Sequence, residues 1–379
     1  MNYAALGSAA GTATHRPPAR EQSEVTMTAS PETIPAETTA APVPPLVTRR
    51  TPVPEIEPEP SGPLARFLVG AFVVVPLLAL LAAVPLAAVW GLISWHDAMI
   101  GLVFYVVSGM GISMGFHRYF THSSFKAKQG LRVAMGIAGS MAIEGPLLVW
   151  VADHRRHHKY SDREGDPHSP WRFGNDWKAL TKGLGYAHIG WLFDPNRTSQ
   201  AKFCPDLLAD RAMSRISRLF PLWAAISLLL PALIGGLWSM SIAGALTAFV
   251  WASLVRICLL HHVTWSINSV CHTFGNEDFE VRDKSRNVAW LAIPSFGESW
   301  HNLHHSDPTC ARHGALKGQI DLSARVIAWA ERLGWAYDVR WPDGARLSTR
   351  LTGLRGKELG PMTDRGERRA AKQGDPKAA

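Results

Sequence analysis

The sequence predicts an all-α integral membrane protein: four transmembrane helices in two hairpins, with a cytosolic helical cap that holds a histidine-rich site. Three observations predict it. Two long apolar blocks are each divided by a short polar joint. Basic residues gather at the outer ends of both blocks and are missing from both joints. Nine of the 16 histidines fall in four tight groups, all on the basic side.

Residues 1–63 are rich in Ala, Thr, Pro and Glu and carry prolines at Pro42, Pro44, Pro45, Pro52, Pro54, Pro58, Pro60 and Pro63. That composition predicts a disordered N-terminal arm. It shows no signal-peptide pattern, and Met27 is a second candidate start. The membrane domain is expected over 64–340. Its first apolar block, Phe67 to Ile93, has no charged residue and is long enough to cross a bilayer core of roughly 30 Å. Pro76 and Pro85 should bend it, which membrane helices tolerate. After Ser94-Trp-His-Asp97 a second block runs from Ala98 to Phe116. The second hairpin spans Phe220 to Leu260, with a weak break at Trp238-Ser-Met-Ser241. Residues 341–379 read as a charged, flexible tail.

Charge bias orients the hairpins. Arg49, Arg50, Arg66, Arg118, Lys126, Lys128 and Arg132 flank the first, and Arg211, Arg215 and Arg218 precede the second. The positive-inside rule then places both termini, the central loop and all four histidine groups in the cytosol. Leu131 to Trp150 is apolar enough to suggest a fifth crossing, but it holds Arg132, Glu144 and Gly145-Pro146. A crossing there would put His117 and His122 on the opposite side from His154, His157 and His158. It is therefore read as an interfacial helix or one packed under the cap.

A net charge of +8 and 15 tryptophans suit a membrane protein whose basic face meets anionic headgroups, a phosphate-bearing substrate or an acidic electron-transfer partner. No nucleic-acid-binding motif is present. Cys204, Cys258, Cys271 and Cys310 form no C-x-x-C pair and read as reduced thiols. Cys271 adjoins His272, but successive helix side chains diverge, which argues against a thiolate ligand.

The four groups are His117-Arg-Tyr-Phe-Thr-His122, His154-Arg-Arg-His157-His158, Asn268-Ser-Val-Cys-His272 and His301-Asn-Leu-His304-His305. Neutral imidazole is the commonest metal ligand, and residues at i, i+3 and i+4 lie on one helix face. One metal takes about four to six ligands, so nine imidazoles predict two metals close together. Iron suits them better than zinc, which closes its structural sites with four ligands and has no redox chemistry. Two irons could reduce dioxygen and abstract hydrogen from an unactivated carbon. Asn268, one turn before His272, could hold a metal-bound water. His15, His96, His168, His188, His261, His262 and His313 read as packed or surface residues, with His168 the best candidate for an outer role behind a ligand.

The stretches His154-Arg-Arg-His-His-Lys-Tyr-Ser-Asp162, Asp166-Pro-His168, Thr264-Trp-Ser-Ile-Asn-Ser-Val-Cys-His272 and Gly297-Glu-Ser-Trp-His-Asn-Leu-His-His305 resemble the membrane fatty acid desaturases of the acyl-CoA Δ9 (stearoyl-CoA) type over residues 64–335. The resemblance implies a di-iron centre on the nine histidines, a water held by Asn268, and a bent apolar tunnel lined near its bend by Trp265. It also implies insertion of a cis double bond into a stearoyl or palmitoyl chain with dioxygen and two electrons. Ala152 stands where the animal enzymes carry a CoA-binding arginine, so Arg155, Arg156, Lys159 or Arg163 would have to take that role. Trp150 and the segment Trp171 to Trp177 are candidates for shaping the substrate entrance. The tail lacks a His-Pro-Gly-Gly haem motif, so electrons would come from a separate reductase or ferredoxin. A di-iron fatty-acyl or alkane hydroxylase is the nearest alternative. A metal transporter or sensor is disfavoured by the uncharged spans.

Overall fold

The computed structural model describes residues 53–58, 62–352 and 358–360. Most of the expected N-terminal arm, including Met27, and residues 361–379 lie outside the described residues.

Four helices are long and apolar enough to cross a membrane: Arg66–Trp90, Trp95–Thr121, Phe220–Ser239 and Ile242–Ser269. The first belongs to α1 (Pro63–Trp90), which starts on a proline and ends at Gly91, whose left-handed backbone (φ 62°) donates to Ala87 O. Proline suits the first turn, where its missing N–H has no partner in any case, and glycine accepts a positive φ without a Cβ clash. The joint to α2 (Trp95–Met110) is a reciprocal cap: Ser94 Oγ accepts from Asp97 N–H, and the Asp97 carboxylate accepts from Ser94 N–H. α1 packs mainly along the fourth span rather than along α2, and Trp251 Nε1 donates to Leu92 O at 2.7 Å to pin the joint there.

α2 continues without interruption into a π-helical segment, Gly111–Thr121. Beyond it, α3 (Gln129–Ser140) and α4 (Leu147–Tyr160) are two helices, separated where Ile143 (φ 59°) and Gly145 (φ 112°) adopt left-handed backbone. Leu131 to Trp150 is thus broken in its middle and forms no fifth span among the described residues. α5 (Trp177–His188) and the short helices α6 (Gln200–Phe203), α7 (Pro205–Ala209) and α8 (Arg211–Arg218) lead to α9 (Phe220–Ser239). The fourth span is composite: α10 (Ile242–Ala248), a second π-helical segment (Phe249–Val255), and α11 (Arg256–Ser269).

Arg256 lies inside that span and is buried. Its guanidinium donates to Ala252 O, Ser108 Oγ, Met141 O, Ser227 O and Ser227 Oγ, tying the second and third spans to the α3–α4 joint. A buried cation is tolerated when its donors are satisfied in this way. α12 (His301–Ser306), α13 (Leu322–Arg332) and α14 (Gly344–Ser348) complete the helices.

Packed residues are found on both sides of 64–340. Ile56–Pro58, inside the arm read as disordered, pairs antiparallel with Asn196–Thr198. Glu55 beside it bonds both Lys159 and Tyr160 at the end of α4. At the other end, Leu347 of α14 is fully buried with Phe279, Leu303, Ala315 and Leu316, so the tail assigned to 341–379 begins as packed structure. Proline-rich and charged composition hid both segments, because their order comes from distant partners. Two of the arginines in the basic flanks also have structural partners. Arg118 is fully buried, and Arg132 pairs with Asp210.

Candidate metal centre

The nine histidines come together in two neighbouring groups. His117, His122, His154, His158 and His304 form one, and His157, His272, His301 and His305 the other; within each, the ligand nitrogens lie within 4.8 Å of one another. Helix geometry explains the partition. At about 100° per residue, i and i+4 lie about 40° apart, whereas i+3 falls about 60° to the other side. α4 therefore gives His154 and His158 to the first group and His157 to the second. α12 does the reverse, giving His301 and His305 to the second group and His304 to the first. His158 and His305 stack at 4.5 Å between ring centroids where the groups meet.

The pair His117 and His122 needs a different device. In an α-helix, residues five apart would point about 140° away from each other. The π-helical segment ending at Thr121 closes i→i+5 bonds instead, with His122 N–H donating to His117 O at 3.2 Å. The two rings consequently sit 5.0 Å apart.

Four carboxylates hold the rings from behind. Asp166 accepts from His157 Nδ1 at 3.0 Å, Asp162 from His272 Nδ1 at 2.9 Å and Asp283 from His305 Nδ1 at 2.6 Å, while Glu298 contacts His117 Nδ1. A proton on Nδ1 leaves the Nε2 lone pair pointing inward, the arrangement that metal-bound histidines adopt. Asp162 is fixed in turn by the Lys284 amide, and Asp166 by the amides of Asp162 and His168. Glu298 is held by Arg118, which also binds both oxygens of Asp321 and the Ala311 carbonyl.

The donor set fits metal ions. His272 Nε2 and His305 Nε2 each lie 3.0 Å from His301 Nε2, and His304 Nε2 lies 2.9 Å from both His117 Nε2 and His158 Nε2. A single Nε2 proton on His301 or His304 can satisfy only one of its two neighbours. Lone pairs are left facing one another in a buried space, a conflict that a shared cation removes. Burial, reinforced by neighbouring imidazoles, pushes His122, His154, His158, His301, His304 and His305 well below the ordinary histidine range. They are neutral and ready to coordinate. For His272 burial works in the same direction, but Asp162 outweighs it and lifts the ring to about 9. A cation at its Nε2 would take the place of that proton.

Asp162→Asn should therefore keep the fold but loosen His272. We expect a loss of about 10–100-fold in metal affinity, the usual cost of an outer partner, read by competition with a metal-binding dye.

Two cavities border this centre. A narrow one of about 40 Å³ is lined by Gly109, Ile112, Leu260, Ile267 and Phe296, with His117, His154 and His301 at the metal side. A second, about 50 Å³, is lined by Phe72, Glu144, Trp191, Leu192 and Trp265. Trp150, His154, Thr264 and Asn268 border both. The second also shares Asp153 and Trp191 with a polar cleft of about 620 Å³ that Arg156, Arg163, Arg172 and Arg197 line. Trp150 stacks on His154 and donates to Glu144 at 3.2 Å. Trp171 Nε1 donates to His272 O at 2.8 Å, whereas Trp177 points outward and is 74% exposed.

Several candidates read from sequence fall elsewhere. All five guanidinium donors of Arg155 are used, on Thr121 O, Phe120 O, Phe203 O and both oxygens of Asp206. Lys159 pairs with Glu55. Neither lines the cavities or the cleft described above; Arg156 does line the cleft and donates to Thr198 Oγ1. Cys271 is fully buried, belongs to neither histidine group, and burial pushes its thiol up. His168 stacks on His157 at 4.4 Å. His313, read as an ordinary packed residue, lies 4.5 Å from His304 and 5.4 Å from His117. The carboxylates and Arg118 were missed as functional residues, although Asp162, Asp166 and Glu298 stand within or beside the histidine motifs.

Residues 93–315 match the fatty acid desaturase family, and the chain belongs to that family. Among individual relatives, it is 38% identical to the hex-5-enoyl-[acyl-carrier protein] acetylenase of Moorena producens (strain JHB) over 73% of this chain and 87% of that protein. It is 34% identical to the Δ9 acyl-lipid desaturase 1 of Arabidopsis thaliana, over 66% of this chain and 77% of that protein. It is equally identical to the sn-1 stearoyl-lipid 9-desaturase of Anabaena variabilis, over 66% of this chain and 86% of that protein. These names specify acyl-carrier-protein and acyl-lipid enzymes, whereas the sequence motifs point to the acyl-CoA type.

Proposed function

We propose that this protein is an oxygen-dependent Δ9 acyl desaturase that places a cis double bond in a saturated stearoyl or palmitoyl chain, carried as the acyl-CoA thioester. The observation that carries this reading is the convergence of nine imidazoles, in groups of five and four, beside a narrow, largely apolar cavity. Each group would hold one iron, the first on His117, His122, His154, His158 and His304, the second on His157, His272, His301 and His305. Asn268, which borders both cavities, would hold a water on one of them. When bound, the irons supply dioxygen activation and removal of hydrogen from an unactivated carbon.

The remaining work falls to the chain itself. Asp162, Asp166, Asp283 and Glu298 keep Nε2 of His272, His157, His305 and His117 aimed inward. Trp150 and Thr264, at the junction of the cavities, would set the bend of the acyl chain, with Trp265 on the wall behind. Apolar walls exclude water from the reacting carbons. The arginines of the polar cleft, Arg156 among them, would meet the phosphates of the thioester carrier. Per double bond, one dioxygen, two electrons, two protons and the two hydrogens removed from the acyl chain give two waters. The electrons would come from a separate reductase or ferredoxin. The four spans would form two hairpins with both termini and the centre in the cytosol, as the basic flanks suggest.

The test is to supply purified enzyme, iron and a reducing system with stearoyl-CoA, stearoyl-acyl-carrier protein or stearoyl-glycerolipid and to locate the double bond by mass spectrometry. A 9,10-cis product from the CoA ester is expected. Product from the lipid or the carrier protein alone would overturn the carrier; a hydroxylated product would overturn desaturation.

A further inference from the structure

The stretch from Val288 to Phe296, Val-Ala-Trp-Leu-Ala-Ile-Pro-Ser-Phe, has no charged residue and packs against the middle of the second span. Tyr105 OH donates to Pro294 O at 2.8 Å. Phe296 lies so close on Gly109 that no Cβ would fit between them. Tyr105 stands 12 positions before His117 on one continuous helix, at most about 18 Å along its axis. This stretch therefore reaches far along a helix that is apolar enough to cross the bilayer.

Its two faces differ. Pro294, Ser295 and Phe296 line the narrow cavity, and Leu291 and Ala292 are buried. Trp290 and Ile293 face outward, 71% and 60% exposed. Its backbone is largely self-sufficient. The amides of Leu291, Ala292, Ser295, Phe296 and Gly297 donate within the segment, and Val288 N–H donates to Ser299 O. Non-helical backbone is tolerated at membrane depth when its polar groups are satisfied and it lines a protein cavity.

We propose that residues 288–296 form a re-entrant segment inserted in the bilayer beside the second span, with Trp290 and Ile293 against lipid acyl chains. The segment is then the wall that separates the narrow cavity from the membrane. This rests on the reading that Trp95–Thr121 crosses the bilayer.

Spin labels on Trp290→Cys and Ile293→Cys in the full-length chain, reconstituted in phosphatidylcholine nanodiscs, test it. The four native cysteines are buried, which favours the introduced site. Leu102→Cys, on an exposed position of the second span, is the lipid reference, and Lys317→Cys, an exposed side chain, is the water reference. Both test labels should collide freely with dioxygen and several-fold less often with a water-soluble nickel chelate than the label at Lys317. Nickel accessibility equal to that at Lys317, with Leu102 lipid-like, would overturn the insertion and leave the span intact. Labels shielded from both reagents would mean a protein cover, and would overturn it as well. Should Leu102 itself read as water-exposed, the span would fail first and the proposal with it. If the cysteine variants do not fold, Trp290→Phe gives a second readout. It should reduce quenching of tryptophan fluorescence by brominated lipid, and unchanged quenching would overturn the proposal.

Discussion

Replacing His304 with alanine is expected to remove about half of the bound iron and to abolish turnover. His304 Nε2 lies 2.9 Å from the Nε2 atoms of both His117 and His158, so its loss opens the centre of the five-histidine group. The four-histidine group keeps all its members, since its nitrogens converge independently. Loss of an outer carboxylate costs about 10–100-fold, and removal of a direct ligand should exceed that, with turnover down by more than about 100-fold. Metal analysis and turnover on the same preparation check this. Full iron content with near-normal turnover would exclude His304 as a ligand.

Arg118→Met is expected to be the most destabilising single change. Arg118 is fully buried, binds Glu298 through Nε and Nη2, and binds Asp321 and Ala311 through Nη1. Methionine fills much of the volume but leaves two carboxylates without their cation. Breaking a buried pair from one side costs about 3–5 kcal/mol. The damage should spread, because Asp321 caps α13 through Ala324 N–H and Glu298 holds His117. Thermal unfolding in detergent should show a large drop in midpoint together with weaker iron retention. Arg132→Met removes a partly exposed partner of Asp210, and its cost should stay near 0–1 kcal/mol. Equal midpoints for the two variants would contradict the role given to Arg118.

Much of the site was legible because its spacing follows helix geometry. His154, His157 and His158 repeat the offsets of His301, His304 and His305, and those offsets also dictate which histidine goes to which group. The spans were legible because the uncharged blocks from Phe67 to Ile93 and from Phe220 onward have no soluble equivalent. Three things were not legible. The π-helical winding that unites His117 with His122 has no signature in side-chain periodicity. The partners Asp283 and Asp321 are distant in sequence from the residues they hold, and single carboxylates on a charged surface carry no distinguishing pattern. Arg155 and Lys159 looked available for a substrate phosphate, but their partners, Asp206 and Glu55, are 51 and 104 positions away.

The convergence of all nine imidazoles on two metal ions is the central claim, and X-ray absorption with elemental analysis on the purified chain tests it most directly. About two irons per chain, ligated by histidine nitrogen at every protein position and with no sulfur, is the predicted result. One tetrahedral zinc per chain, or an iron–sulfur signal from Cys271, would contradict it.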